Sequence, residues 1–195
     1  MEQEPAFIIG NGLTRKKFNL DKLIGQGCTF GCNALYRDFT PDYLVAIDDK
    51  IIEEITQSDY PMNRFIVPPN EEQYEPAEHN PSRPRSNAGM NACFEAIKKD
   101  FKTLYLFGFD FILEDEISVK NIYDTTSCYG PETRANHNDN YNRARYFEYM
   151  AKKNPDVNFK FVVPRDIRII HKINSDNVTG VFYDSFDPEW ESELH

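Results

Sequence analysis

No apolar run in this chain of 195 residues reaches the roughly 20 residues that a membrane-spanning helix needs. Positive charge is scarce as well: 22 Lys and Arg stand against 32 Asp and Glu, for a net charge of −10. That balance argues against nucleic acid as a partner, because phosphates are normally met by a positive stripe. It argues equally against an anionic membrane surface, so a small-molecule ligand fits better. Cysteine is sparse too. Cys28, Cys32, Cys93 and Cys128 are too few and too irregularly spaced for a disulfide scaffold, and Cys28-x3-Cys32 lacks a second pair with which to bind zinc. The opening Met1-Glu2-Gln3-Glu4-Pro5 does not have the basic-then-apolar order of a secretory signal. The expectation is a cytoplasmic protein with reduced thiols, in which Cys32 and Cys93 pack rather than react.

What is present is enough for a core. Hydrophobic residues make up 40% and aromatics 14% of the chain, which suits one α/β domain over residues 1–195 without metal or disulfide staples. A homo-oligomer is compatible with this composition. Strands are expected at Phe7–Ile9, Thr29–Asn33, Tyr43–Ile47, Arg64–Val67, Lys102–Phe107 and Phe159–Val163, each a short run of apolar and β-branched or aromatic residues. Helical spacing marks Ile51–Ile55, Met90–Asp100 and Asn142–Lys153, with a shorter turn at Leu20–Leu23. Residues 68–84, rich in proline, glutamate and asparagine, read as an exposed excursion, and 114–140 as a long polar lid. Strands alternating with helices predict a mostly parallel, Rossmann-like sheet with its ligand at the carboxyl edge.

Four groups recur at element ends: Gly10-Asn11-Gly12, Cys32-Asn33-x2-Tyr36, Ser86-Asn87-Ala88-Gly89 and Gly108-Phe109-Asp110. Glycine lets backbone N–H groups come close to a ligand, and an asparagine amide both donates and accepts. Together they can read a ribose and a base edge while a helix N-terminus faces phosphate. Each also has a plainer reading: Gly-Asn-Gly as an ordinary turn, Asp110 as a cap, His137 as a solvated loop residue. Asp48-Asp49 at a strand end suits Mg²⁺ beside a diphosphate, or simply a helix N-cap at Asp49.

The order of these motifs between Phe7 and Pro164 resembles the bacterial sialyltransferases of glycosyltransferase family 42. More distantly, the Gly-Asn-Gly opening is similar to that of the archaeal-type 6-hydroxymethylpterin pyrophosphokinase group. The family resemblance rests on that turn, the Cys-Asn-x-x-Tyr strand end, the Ala-Gly-led helix, Tyr105-Leu106-x-Gly108-x-Asp110-Phe111 and a late histidine. It implies a nucleotide-binding α/β domain with a lid, a CMP-sialic acid donor, a hydroxyl acceptor, and metal-independent transfer with inversion. Carried over, it gives Gly10, Asn11, Gly12, Thr14 and Asn33 to the nucleotide, and Asn87, Ala88 and Gly89 to the donor cleft. Gly108 and Asp110 go to the ribose or base side, and Arg85 lies near donor or acceptor. His137 matches the base on the acceptor hydroxyl, a role that suits an imidazole near neutral pH. Tyr123 or Tyr129 matches the tyrosines that stabilise the departing phosphate.

The chain departs from the family in having Leu13-Thr14 where Pro-Ser is usual, and in carrying Asp48-Asp49. The alternatives are a Mg²⁺-dependent pyrophosphokinase-like enzyme using those two acids, and a nucleotide-binding module without chemistry. The acidic tail from Asp184 to Glu193, with Phe186 and Trp190, reads as a solvated or docking segment; it implies no membrane attachment.

Overall fold

Strands covered on both faces read as unbroken apolar runs rather than alternating ones, and the computed structural model, which describes residues 3–72 and 87–190, builds the centre of one sheet from such runs. In chain order the strands are β1 (Ala6–Ile9), β2 (Cys28–Cys32), β3 (Tyr43–Val45), β4 (Phe65–Ile66), β5 (Thr103–Phe107), β6 (Asn158–Val163) and β7 (Val178–Phe182). Every pairing is parallel, in the order β4-β3-β2-β1-β5-β6-β7. The α/β, Rossmann-like expectation is met, and the sheet is wholly parallel.

β1 shows why. Ala6 and Ile8 pack into one core cluster, with Phe30, Met90, Phe147 and Phe161. Phe7 and Ile9 face the other way into a second, with Leu35, Leu44, Ile55, Phe107 and Tyr183. Because side chains alternate across a strand, four consecutive apolar residues serve two layers. The helices that cover the sheet are α1 (Asp49–Thr56), α2 (Ala88–Lys98), the single-turn α3 (Asp115–Ser118) and α4 (His137–Lys153). α2 begins where the Asn87 side chain accepts a hydrogen bond from the Met90 N–H at 2.9 Å. α1 begins at Asp49, so the cap position falls on Asp48, whose side chain makes no capping bond.

Several boundaries differ from those read in the sequence, each for a local reason. β2 stops at Cys32 because Asn33 turns into the left-handed region at φ 52°, which asparagine tolerates better than most residues. α4 starts at His137, five residues before Asn142. A capping box fixes that start: Asn136 accepts from the Asp139 N–H, and Asp139 accepts from the Asn136 N–H, both at 2.9 Å. β7 was not expected, since Val178-Thr179-Gly180-Val181-Phe182 is only partly covered and carries a glycine. Of the expected excursion at 68–84, a 3₁₀ turn at Asn70–Glu72 is described; residues 73–84 and Arg85 lie outside the described residues.

The C-terminal segment is a correction. Tyr183 is fully buried, and Trp190 stacks on it with ring centroids 4.6 Å apart. Phe186 packs edge-on against Phe107 at 5.1 Å. The acidic residues hide an aromatic patch that closes one core layer. Trp190→Ala is therefore expected to lower unfolding free energy by about 1–3 kcal/mol; a denaturant midpoint equal to that of the parent protein would show the segment to be solvated after all.

Candidate functional site

The strand order reverses at β1, which has β2 on one side and β5 on the other. In open parallel sheets the crevice at such a reversal, beyond the strand carboxyl ends, is where ligands bind. Here the two turns that leave β1 and β5 meet. Gly10 N–H donates to Phe107 O at 2.7 Å, and Gly12 N–H to Gly108 O at 2.9 Å. A Cβ on Gly10 would lie 2.8 Å from Gly108 O, and one on Gly108, whose φ is +66°, 2.8 Å from Gly10 O. The glycines are required by this approach.

The junction is pinned from below. Asp110 is buried and accepts twice from Thr14, from the hydroxyl at 2.6 Å and the backbone N–H at 3.0 Å. The Thr14 hydroxyl also lies 2.9 Å from the Tyr183 hydroxyl, which accepts from Gly108 N–H at 3.2 Å. Arg15, buried beneath the turn, donates to Gly10 O at 2.5 Å and to Asn11 Oδ1 at 2.9 Å. Asn11 in turn donates to Cys32 O at 3.0 Å. Burial pushes the Asp110 carboxyl up to about 6 against the opposing pull of its Thr14 hydrogen bonds. Burial likewise lifts the Cys32 thiol to about 12, which leaves it inert.

The segment from Glu114 to Asn136 crosses this edge. Asn121 bridges to Gly12, and Ile122 N–H donates to Asn11 O at 2.9 Å. Farther out, Arg37 donates to Thr126 Oγ1 at 2.9 Å and to Ser127 O at 3.1 Å, while Tyr123 donates to Asp38 at 2.6 Å. Arg134 grips Asp124 through two hydrogen bonds, at 2.8 and 2.9 Å. Beneath the segment lies a cavity of about 190 Å³.

Nine of the expected nucleotide-site residues line this cavity: Gly10, Asn11, Gly12, Asn33, Asn87, Ala88, Gly89, Gly108 and Asp110; so does Tyr129. Thr14, Tyr123 and His137 do not. Thr14 is spent on Asp110, and Tyr123 on Asp38. His137 stands at the first position of α4, its side chain 62% exposed, with Nδ1 2.6 Å from Asp115 Oδ2. One helical turn on, Asn140 is fully buried and reaches the cavity wall, donating to Ser118 Oγ at 2.7 Å. Asp48 and Asp49 also lie off the cavity, and Asp48 is held above the ordinary carboxylate range by burial and then by Asp49.

Two properties of the lining were not read from the sequence. Three cations, Lys120, Arg134 and Arg143, face it against two acids, Asp110 and Asp124, in a chain of net charge −10. The sequence hides this, because Lys120, Arg134 and Arg143 are spread through a stretch richer in acids, and only the fold gathers them. The second is that Asn33 Oδ1 and the Tyr129 hydroxyl are buried with no hydrogen-bond partner among the described residues.

No protein-family model matches the sequence, and no curated protein matches it. Solved structures do match by fold. The sialyltransferase CstII from Campylobacter jejuni, solved with cytidine-5'-monophosphate, superposes with a TM-score of 0.52 at 14% identity, over 85% of this chain and 82% of that one. The same enzyme solved with CMP-3FNeuAc gives 0.49 at 12% identity, over 84% and 82%. The fold is sialyltransferase-like. Nothing in these comparisons points to the pyrophosphokinase group.

The raised Asp110 value has a definite sign. Folded Asp110 holds its proton up to about pH 6, whereas an unfolded aspartate loses it near 3.8, so its contribution is present at low pH and is lost as pH rises through that window. Relative to Asp110→Asn, which does not titrate, the parent protein should lose on the order of 3 kcal/mol between pH 4 and pH 7, at about 1.4 kcal/mol per unit. Paired denaturant melts at the two pH values measure this difference; a constant gap between the two proteins contradicts it.

Proposed function

We propose that the cavity binds a nucleotide-linked sugar of the cytidine class, and that the protein is a glycosyltransferase of sialyltransferase type acting on a hydroxyl acceptor. The observation that carries this reading is the unpartnered Asn33 oxygen at the cavity wall. A buried acceptor left unpaired costs about 1–3 kcal/mol, which a ligand donor recovers. Phosphate oxygens offer no proton at neutral pH, so the ligand group that fits is a ribose hydroxyl or a base amino group, as on cytosine. The phosphate charge is met elsewhere in the lining, by Lys120, Arg134 and Arg143. The fold likeness to an enzyme solved with cytidine-5'-monophosphate supports the same choice.

In the reaction the acceptor oxygen bonds to the anomeric carbon, the bond from that carbon to the phosphate oxygen breaks, and the nucleotide leaves with the electron pair. Lining cations and the Tyr129 hydroxyl, kept protonated by burial, neutralise the departing phosphate. The segment 114–140 serves as the lid over the donor. The acceptor proton goes to a base, which the family resemblance assigns to His137; the Asp115 hydrogen bond orients its ring as a carboxylate orients a catalytic imidazole.

A second reading, a nucleotide-binding module without transfer, is favoured by one fact: the His137 ring does not line the cavity.

Cytidine monophosphate at about 100 times its dissociation constant is expected to add roughly 2.7 kcal/mol of stability, or a melting shift of about 5–10 °C for a chain of this size. Asn33→Gly keeps the left-handed backbone, removes the amide, and should weaken binding about 10-fold or more. Equal shifts from all nucleoside monophosphates, or an unchanged affinity in the variant, would sink the proposal. Release of free sugar or product from CMP-sialic acid by the parent protein, lost in His137→Ala, separates the enzyme from the module.

A further inference from the structure

We propose that Asp115, His137 and His171 form a binding site for a divalent transition-metal ion of the zinc class, outside the nucleotide cavity. Each offers one ligand atom, and these atoms lie within 4.8 Å of one another, the only such group among the described residues. His137 Nδ1 is 2.6 Å from Asp115 Oδ2, and His171 Nε2 is 3.5 Å from Asp115 Oδ1. The two imidazole rings sit 4.8 Å apart.

The observation that points to a ligand is on His171. It is 5% exposed, and neither its buried Nε2 nor the buried Asp115 Oδ1 facing it makes a well-formed hydrogen bond among the described residues; they meet only as an ion pair at 3.5 Å. Two such atoms 3.5 Å apart and poorly aligned for a hydrogen bond can both bond an ion that sits to one side of the line joining them. Tetrahedral zinc with bonds near 2.1 Å separates its ligand atoms by about 3.4 Å, the spacing already found there. The widest pair in the group must close from as much as 4.8 Å toward that spacing, and the exposed side chain of His137 is free to supply the movement. Two imidazoles and one carboxylate suit zinc and its neighbours, not the oxygen-seeking Mg²⁺ or Ca²⁺. The exposed flank at His137 leaves a fourth position for water.

The three ligands come from three segments. Asp115 opens α3 and His137 opens α4. His171 follows β6, on a stretch tied to the first by His171 N–H donating to Ile112 O at 3.1 Å and Glu114 N–H to Arg168 O at 3.2 Å. An ion there clasps both ends of the segment that crosses the cavity to the chain after β6. It also engages the His137 nitrogen that Asp115 otherwise orients, which takes that imidazole out of use as a base while the ion is bound. The site does not depend on what the cavity binds.

The test uses the untagged 195-residue chain, stripped with chelator, and Co²⁺, Zn²⁺ and Mg²⁺ as probes. Expected are visible Co²⁺ absorption saturating at one ion per chain, displacement of that ion by Zn²⁺, and a rise in melting temperature with Zn²⁺ but not Mg²⁺. His171→Ala should abolish all three. Because that change empties a buried position, His137→Ala, at an exposed one, is the parallel variant, expected to weaken Co²⁺ binding at least 10-fold with the fold intact by circular dichroism. No stoichiometric binding by the parent protein at about 100 μM Co²⁺, or binding unchanged in His137→Ala, overturns the assignment. Neither result bears on cytidine monophosphate binding, which is measured separately.

Discussion

The close approach of two backbone turns, Gly10 to Gly12 and Gly108, is the constraint on which the rest of this sheet edge depends. No side chain fits between them, so the residues that hold the turns must act from outside the gap. Asp110 and Thr14 lock the flanks, Tyr183 ties the junction to the chain after β7, and Arg15 satisfies Gly10 O from beneath. This is a fully paired buried network, and in a low-dielectric interior such networks rigidify what they join. The cost falls on Asp110, whose carboxylate has exchanged water for a hydroxyl and an amide. Both of its oxygens are engaged, so it shapes the cavity wall more than it offers itself to a ligand.

Rigidity below the cavity contrasts with unpaired polar groups at its wall. The same chain that satisfies every oxygen of Asp110 leaves Asn33 Oδ1 and the Tyr129 hydroxyl without partners. Buried polar atoms in folded proteins are nearly always paired, so these two are the places on the wall where a ligand group would gain most by bonding. The charge pattern agrees. A protein of net charge −10 repels anions at long range, yet solvent screens that field within about 8 Å at physiological salt. Within the cavity the nearby cations decide, and there they outnumber the acids.

Much of this was legible in the residues. β1 and β5 announce themselves as apolar runs ended by glycine, but their adjacency is set by the fold, since burial on two faces does not say which strands are neighbours. Asn33 and Asn87 were legible as element ends, where asparagine takes the left-handed turn after β2 and caps α2. Thr14 was not, because its partner lies 96 residues away and only the folded sheet brings Asp110 beneath it. The aromatic closure by Phe186 and Trp190 was hidden by acidic neighbours, which set the average polarity of the segment but not the burial of its rings. The start of α4 was encoded in Asn136-x-x-Asp139, a capping signal that the polar character of the stretch obscured.

That helix start is also what separates His137 from the cavity. α3 and α4 meet through two rungs, Ser118 with Asn140 and Asp115 with His137, each pair 22 residues apart in sequence. Rungs three residues apart on a helix lie about 4.5 Å apart along its axis, so if the inner rung lines the cavity the outer one stands beyond it. Had α4 begun at Asn142, His137 would have been a loop residue with its ring free to turn inward. The capping box removes that freedom and delivers the imidazole to Asp115 and His171 instead. Two histidines separated by 34 residues form no metal-binding motif in the sequence. They meet because one opens a helix and the other follows a strand whose neighbour is held by backbone hydrogen bonds at Ile112 and Glu114. A histidine read from sequence as a base is thus placed by helix geometry in a different chemical setting, and the catalytic assignment turns on whether the α4 N-terminus can bring that ring to the cavity without breaking its outer rung.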